Sequence, residues 1–504
     1  MSVVKRLSGE TLNDIQGFIT SGYGHLRHAA YLFVHIDDAQ SAQRWLRRMT
    51  PSITTSKAWP IDEQGKKIKP VSAVNLALTV DGLAACGLPT AVLCTFVPEF
   101  IEGIASAERA RRLGDTGESA AAHWEIGGPN REPLHAVVIV HAQDQDTLDA
   151  VCEVQRSFLV GQGAGAHEIA NGLQQGYRPE TDHEPFGFHD GIAQPAIRGF
   201  TSVKGASVPA GEFILGYENH YGSIAPTPVV SGEYDPQGLL PRSANPYHSG
   251  ANLRDLGRNG TYVVYRKLRQ DVAGFWQFMK QAAQQADGAA DPARMLWLAA
   301  KCVGRWPSGA PLTLAPNADD ARLARRDDFL YAGDADGYGC PLGAHVRRTN
   351  PRDVLKPYPV AQSLSMTEAH RILRRARVFG PPLFDPHILH GAMTRAGHEA
   401  LQAIADDGKP RGLHFFCVNA SIKSQFEFIQ QNWCNNPRFG GLHDNKDPLV
   451  GSTASGEVAS RMTIPGRPDG TRTPALPRFV TVSAGAYLFM PSVSALRFLT
   501  AFTS

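Results

Sequence analysis

The sequence is short of cysteine, of long apolar runs and of charge of one sign. Seven of its 504 residues are cysteines: Cys86, Cys94, Cys152, Cys302, Cys340, Cys417 and Cys434. They are scattered, odd in number, and form neither C-x-x-C nor C-x-x-C-H. That excludes a disulfide framework, a Cys-rich zinc site and covalent attachment of a c-type haem. No run approaches 18 apolar residues, and Met1 to Leu12 carries basic residues without an apolar core. A membrane-spanning helix and a secretory leader are therefore not expected. Lys plus Arg is 50 against 48 for Asp plus Glu, a net charge of +2. This balance offers no electrostatic footprint for nucleic acid or an anionic membrane. The expectation is a soluble, cytoplasmic protein of a reducing compartment.

What is there is a large core interrupted by many turns, with 49 glycines and 35 prolines. A chain of this length divides into two domains or more, or folds as one large one. Ala29–Ile36, Ala73–Val80 and Leu134–His141 read as strands. Asp38 is placed to cap a helix through Trp45 to Met49, Phe96–Leu113 reads as one helix, and Asp144–Leu159 has helical spacing. Residues 200–260, rich in Gly, Pro, Ser and Asn, read as a long ordered excursion. The order then repeats: a strand over Gly260–Arg266, a helix capped by Asp271, a helix over Arg294–Cys302, a strand over Leu413–Val418, a helix over Gln425–Trp433 and a closing strand over Phe479–Pro491. Twice-repeated β-α-β order fits ferredoxin-like α+β units.

Three stretches carry candidate chemistry. Gly187-Phe188-His189-Asp190-Gly191 presents one acid between two glycines, beside an aromatic. Alone it is a common turn signal. Ala344-His345-Val346-Arg347-Arg348-Thr349-Asn350-Pro351-Arg352 follows downstream, and then His370-Arg371-Ile372-Leu373-Arg374-Arg375-Ala376-Arg377-Val378-Phe379-Gly380. An acid on a glycine turn, a His and an Arg, in that order, resemble the dye-decolorizing peroxidase family of haem proteins. The family's G-x-x-D-G motif matches Gly187 to Gly191, and its A-H-x-R-x-x-N-P-R motif matches Ala344 to Arg352. Its Arg six residues before a Gly that follows an aromatic is Arg374. The likeness runs through nearly the whole chain and includes Phe96-Val97-Pro98-Glu99-Phe100, Leu113-Gly114-Asp115 and Gln425-Phe426-Glu427.

The resemblance implies an α+β fold of tandem ferredoxin-like domains, antiparallel sheets with peripheral helices. Residues 1–200 would form the N-terminal domain, ending in the Gly-x-x-Asp-Gly turn, and 201–504 the haem-binding domain. It implies a haem peroxidase that reduces hydrogen peroxide through a ferryl intermediate and oxidises bulky aromatic donors such as dyes and phenolics. The cofactor would be haem b, non-covalent, its iron ligated by His345, since a neutral imidazole is a good axial ligand. Asp190 would move a proton between the peroxide oxygens. Arg374 would stabilise charge on the leaving oxygen, with Arg375 a near-neighbour competitor about 100° away if the segment is helical. Arg371 and Arg375 are assigned to a solvated basic face. Arg347 is a candidate partner for a haem propionate, and Gly187, Phe188 and Gly191 are expected to pack on the cofactor. The acceptor for the second nitrogen of His345 should exist but is not named by the sequence; Ser421 stands where relatives often have Asp or Asn. The rival from another class is a haem-binding or haem-delivery protein. Oligomeric state and physiological donor are not readable.

Overall fold

The computed structural model describes residues 7–159, 165–200, 207–248, 250, 252–284, 290–390, 395–453, 460–466 and 468–502. Its main sheet has nine strands. β1 (His28–Ile36), β2 (Ser72–Leu78), β3 (Ala136–Ala142) and β4 (Ala166–Tyr177) come from the first part of the chain. β5 (Thr261–Gln270), β6 (Leu373–Arg374), β7 (Arg377–Phe379), β8 (Gly412–Asn419) and β9 (Val480–Met490) come from the second. The first set lies in the order β4-β1-β3-β2. The second lies in the order β7-β8-β5-β9, with β6 also paired to β8. Each is the ferredoxin-like order, fourth-first-third-second, and every pairing is antiparallel. Two seams join the sets, Tyr177 with Val378 and Leu78 with Phe489. The strands thereby close into one barrel, so the expected pair of sheets is present and fused.

Alternation along the strands fills both sides of this wall. In β1, Ala29, Tyr31 and Phe33 point into the barrel with Tyr265, Phe416 and Leu488. Ala30, Leu32 and Val34 point outward against Trp45, Leu46, Leu148 and Cys152. That double burial is why β1 and β3 are almost uninterrupted apolar runs. The outer helices start where the sequence places caps. Asp38 accepts from the Ser41 N–H ahead of Ala39–Met49, and Asp271 from the Gly274 N–H ahead of Val272–Ala282. A side-chain oxygen there satisfies an N–H that the first turn leaves open.

Two expectations change, and one strand was not expected. The single helix over Phe96–Leu113 is two, Pro98–Glu102 and Ala107–Leu113, because Gly103 leaves the helix at φ 73° and Ser106 caps a new one. β4 carries no clear strand signal, since His167, Glu168, Asn171, Gln174 and Gln175 dilute it. A bulge opposite Leu32 and Val34 and a left-handed Asn171 (φ 57°) further break its alternation. The segment of Arg374 is extended, not helical, because Leu373 and Arg374 pair with Val418 and Cys417 of β8.

Candidate active site

The Asp190 turn is held by acids that precede it. Glu184 accepts the backbone N–H groups of Phe186 and Phe188 at 3.1 and 3.0 Å, and Gln270 donates to it at 2.8 Å. The Asp190 N–H donates to the Asp182 carbonyl at 2.9 Å. Gly187 sits at φ 97°, and a Cβ there would lie 2.5 Å from a Leu389 methyl. The chain thus needs glycine at that point both for its angle and for space. Burial pushes the Glu184 carboxyl up to about 7.

Asp190 Oδ1 accepts from Arg374 Nη1 at 2.9 Å. Both side chains keep about a third of their surface, 35% and 32%, and that surface opens into cavities they line. Burial raises the Asp190 pKa, but the Arg374 guanidinium and the Gly191 N–H outweigh it and hold the carboxylate below its ordinary range. Extended backbone sends successive side chains to opposite faces. Arg374 therefore faces the cavity, while Arg375 turns away and donates to the carbonyls of Phe18 and Ile19 at 3.0 and 2.8 Å. Arg375 is buried, 7% exposed, and is not part of a solvated face.

The first cavity has a volume of about 300 Å³. His345, Asp190, Arg374 and Phe188 all line it, with Leu268, Leu413, Phe415 and Phe426 among its apolar walls. His345 opens the short helix His345–Thr349. Its Nδ1 lies 2.9 Å from Asp447 Oδ2, and the Asp447 side chain is fully buried. Asp447 Oδ1 accepts the N–H groups of Leu449 and Val450 at 2.9 and 3.0 Å. The carboxylate is thus fixed by its own turn and orients the imidazole, leaving Nε2 for a ligand. The acceptor is Asp447, not Ser421, whose own N–H donates to Gln425 Oε1.

Three other expected site residues stand elsewhere. Arg347 does not reach the cavity: two residues beyond His345 on a helix is about 200° around it. Its guanidinium is 1% exposed, donates to the carbonyls of Asp334 and Cys340 at 2.9 and 2.7 Å, and stacks over Tyr331. Gly187 and Gly191 shape the turn without lining this cavity. The arginine that sequence reading placed in solvent, Arg371, lines it instead. Among the described residues its hydrogen bond is a long one, 3.4 Å to the Ala193 carbonyl. Burial lowers its pKa to about 10, so it stays cationic at neutral pH.

The cavity's chemistry fits haem. Its walls are mostly apolar, an imidazole nitrogen is free to ligate a metal, and Arg371 suits a carboxylate. Arg266 Nε, Gln270 Oε1 and Asn350 Oδ1 are buried at the wall without a protein partner, as expected where a bound group completes the site. A second cavity, of about 290 Å³, shares Glu184, Asp190, Arg374 and Leu413 with the first. It contains the turn's far side and the arginines Arg178, Arg375 and Arg377. Among the described residues no helix is long and apolar enough to cross a membrane.

Comparison with known proteins bears on the same geometry. Residues 14–167 match the family model described as the DyP dimeric alpha+beta barrel domain. The chain is 30% identical over 516 residues to Peroxidase 2 of Mycetinis scorodonius, covering 97% of this chain and 87% of that protein. It is 28% identical over 507 residues to a dye-decolorizing peroxidase of Exidia glandulosa, with 97% and 87% covered. A solved dye-decolorizing peroxidase in complex with 2,6-dimethoxyphenol superposes with a TM-score of 0.71 at 25% identity, over 96% of this chain and 98% of that one. With such likeness along nearly its whole length, the chain belongs to the dye-decolorizing peroxidase family, haem-dependent enzymes that reduce hydrogen peroxide and oxidise aromatic donors.

Proposed function

We propose that the first cavity binds haem b non-covalently, with His345 Nε2 as the iron ligand. The observation that carries this reading is that the His345–Asp447 pair and the Asp190–Arg374 pair line one largely apolar cavity. Asp447 keeps the imidazole in one orientation, Arg371 would meet a propionate, and Phe188, Phe415 and Phe426 exclude water from the ring. Bound there, the haem supplies the redox centre at which peroxide is reduced and donors are oxidised. Asp190, ionised, takes the proton from one oxygen of the peroxide and delivers it to the other. Arg374 is a permanent donor aimed where negative charge grows on the departing oxygen. It also holds Asp190 in the basic form. The shared wall of the two cavities supports entry of peroxide from the second.

The donors are bulky aromatics, dyes and phenolics. That reading is supported by the names of the relatives and by the phenol held in one of them. They favour a peroxidase over the haem-delivery alternative. A cytoplasmic setting is supported by seven cysteines, all free thiols. The division at residue 200 is supported by its position between the two strand sets. The test is stopped-flow absorbance of the haem-loaded protein. Peroxide should change the Soret band rapidly, and a phenol should restore it. A stable Soret band that ignores peroxide would return the protein to haem delivery.

A further inference from the structure

The barrel interior holds a buried tyrosine–histidine pair for which the peroxide chemistry at the cavity has no use. Tyr265 lies on β5 and His414 on β8, and they are 0% and 1% exposed. The Tyr265 hydroxyl meets His414 Nδ1 at 3.2 Å, with the two rings nearly parallel, 14° apart. His414 also bonds the backbone carbonyl of Gln175. A neutral imidazole has one N–H and one lone-pair nitrogen, so the direction of the Tyr265 contact follows the tautomer. With the proton on Nε2, Tyr265 donates and the neutral imidazole accepts at Nδ1. Burial, with Lys267 nearby, depresses the His414 pKa to about 3 and keeps the ring neutral. The charge of Lys267 is matched by Glu125, 2.6 Å from its Nζ.

The pair stands directly behind the cavity wall. In β8, Leu413 and Phe415 line the cavity and His414 points the other way; in β5, Arg266 and Leu268 line it and Tyr265 points the other way. Other buried tyrosines lack a histidine partner; Tyr487, on the paired strand, donates instead to Glu427 Oε1 at 2.8 Å and faces away from the barrel interior. The hydroxyls of Tyr31 and Tyr331 are buried without a partner. Tyr331 in addition lies under the guanidinium of Arg347. Tyr31 is nonetheless close, its ring 5.0 Å from that of His414.

We infer that Tyr265 and His414 form an internal redox site, one that holds an oxidising equivalent when no aromatic donor is at hand. This rests on the haem-peroxidase reading above, which supplies the oxidant from peroxide. One electron leaves Tyr265 and reduces the oxidised cofactor by one equivalent. The phenolic O–H bond breaks and an N–H bond forms at His414 Nδ1. The products are a neutral phenoxyl radical and an imidazolium, with charge and atoms conserved. An electron returned from a donor reverses both transfers. Burial disfavours either cation, but a tyrosine radical cation is a far stronger acid than the imidazolium of His414, so the proton passes to the imidazole as the electron leaves.

The test is freeze-quench electron paramagnetic resonance of the holoenzyme mixed with peroxide and no donor. A tyrosyl signal is expected in the wild type and in Tyr31→Phe, and its loss in Tyr265→Phe. His414→Gln keeps an acceptor but no base, and should lower the radical yield. An unchanged signal in Tyr265→Phe overturns the inference. Should that variant fail to fold, 3-fluorotyrosine at position 265 decides: fluorine splitting of the signal supports the site, and its absence overturns it. The Soret band, followed in the same samples, reports the peroxidase reading separately. If it is unmoved by peroxide, both readings fall; if it moves and no tyrosyl signal forms, only this one does.

Discussion

The β4-β1-β3-β2 set and the β7-β8-β5-β9 set share one strand order but use their outer faces differently. In the first, Leu32, Val34 and Val138 are covered directly by helices through Trp45, Leu46 and Leu148. In the second, Arg266, Leu268, Gln270, Leu413 and Phe415 look into a cavity. The same scaffold packs shut where its outward residues are aliphatic. It holds a ligand site where two of them are polar and cannot be buried against hydrocarbon. The first set is not idle: Leu113, Ser119 and the Asp190 turn close the cavity from its side. The cavity is thus completed by segments outside the second strand set.

The strongest way to break this asymmetry is His345→Ala, which removes the one side chain offered here as iron ligand. Loss of haem is expected, read as a missing Soret band in the purified variant; full occupancy with an unchanged spectrum would refute the ligand assignment. Next comes the contrast of neighbours on one strand. Arg374→Leu should slow the reaction with peroxide by about 10²–10³, the usual cost of a lost preorganised donor. Arg375→Leu should leave that rate nearly unchanged but lower stability by about 3 kcal/mol, since it deletes charged hydrogen bonds to the carbonyls of Phe18 and Ile19 in the helix Gly17–Thr20. Stopped-flow rates and denaturant midpoints separate the two, and a reversed pattern would exchange their roles. Asp447→Asn should be milder, weakening haem affinity about 10–100-fold as an orienting partner does, measured by transfer of haem to an acceptor protein.

The smallest change is one of shape. Because Asp190 is held below its ordinary pKa, it remains a base in mildly acidic solution, and the wild-type rate should fall only as pH drops through that lowered value. Above it the rate is flat with respect to this group. Asp190→Asn cannot accept the proton, so its rate should be low and lack the acid limb. An unchanged rate and profile would leave Arg374, or a water, to carry the step.

Much of this was legible in the chain because its signals are local. Asp38 and Asp271 cap the helices they precede, and the apolar runs of β1, β3 and β5 are strands buried on both faces. The motif positions Asp190, His345 and Arg374 meet at one cavity. The misreadings share a cause, which is that facing is decided by tertiary structure. Arg347 faces away from the cavity and Arg371 lines it, because one follows His345 on a helix turned away and the other precedes a strand no pattern announces. Asp447 lies 102 residues from His345, in a loop whose Asp-Pro-Leu reads as a turn, and only the fold brings it to the imidazole. β4 was hidden by its Gln, Asn and Gly content, although its pairing with β1 is what makes the bulge legible.

The seams have a consequence for how the protein is made. Each is a single residue pair, and one joins Leu78 to Phe489. During synthesis the first four strands emerge long before their partners, with both outer edges, β2 and β4, unpaired. Such edges invite pairing with other chains until the second set arrives. Val480 and Val482 of the last strand also line the cavity. The cavity wall is therefore incomplete until β9 has joined the sheet, and on the proposed haem site cofactor capture waits for that strand.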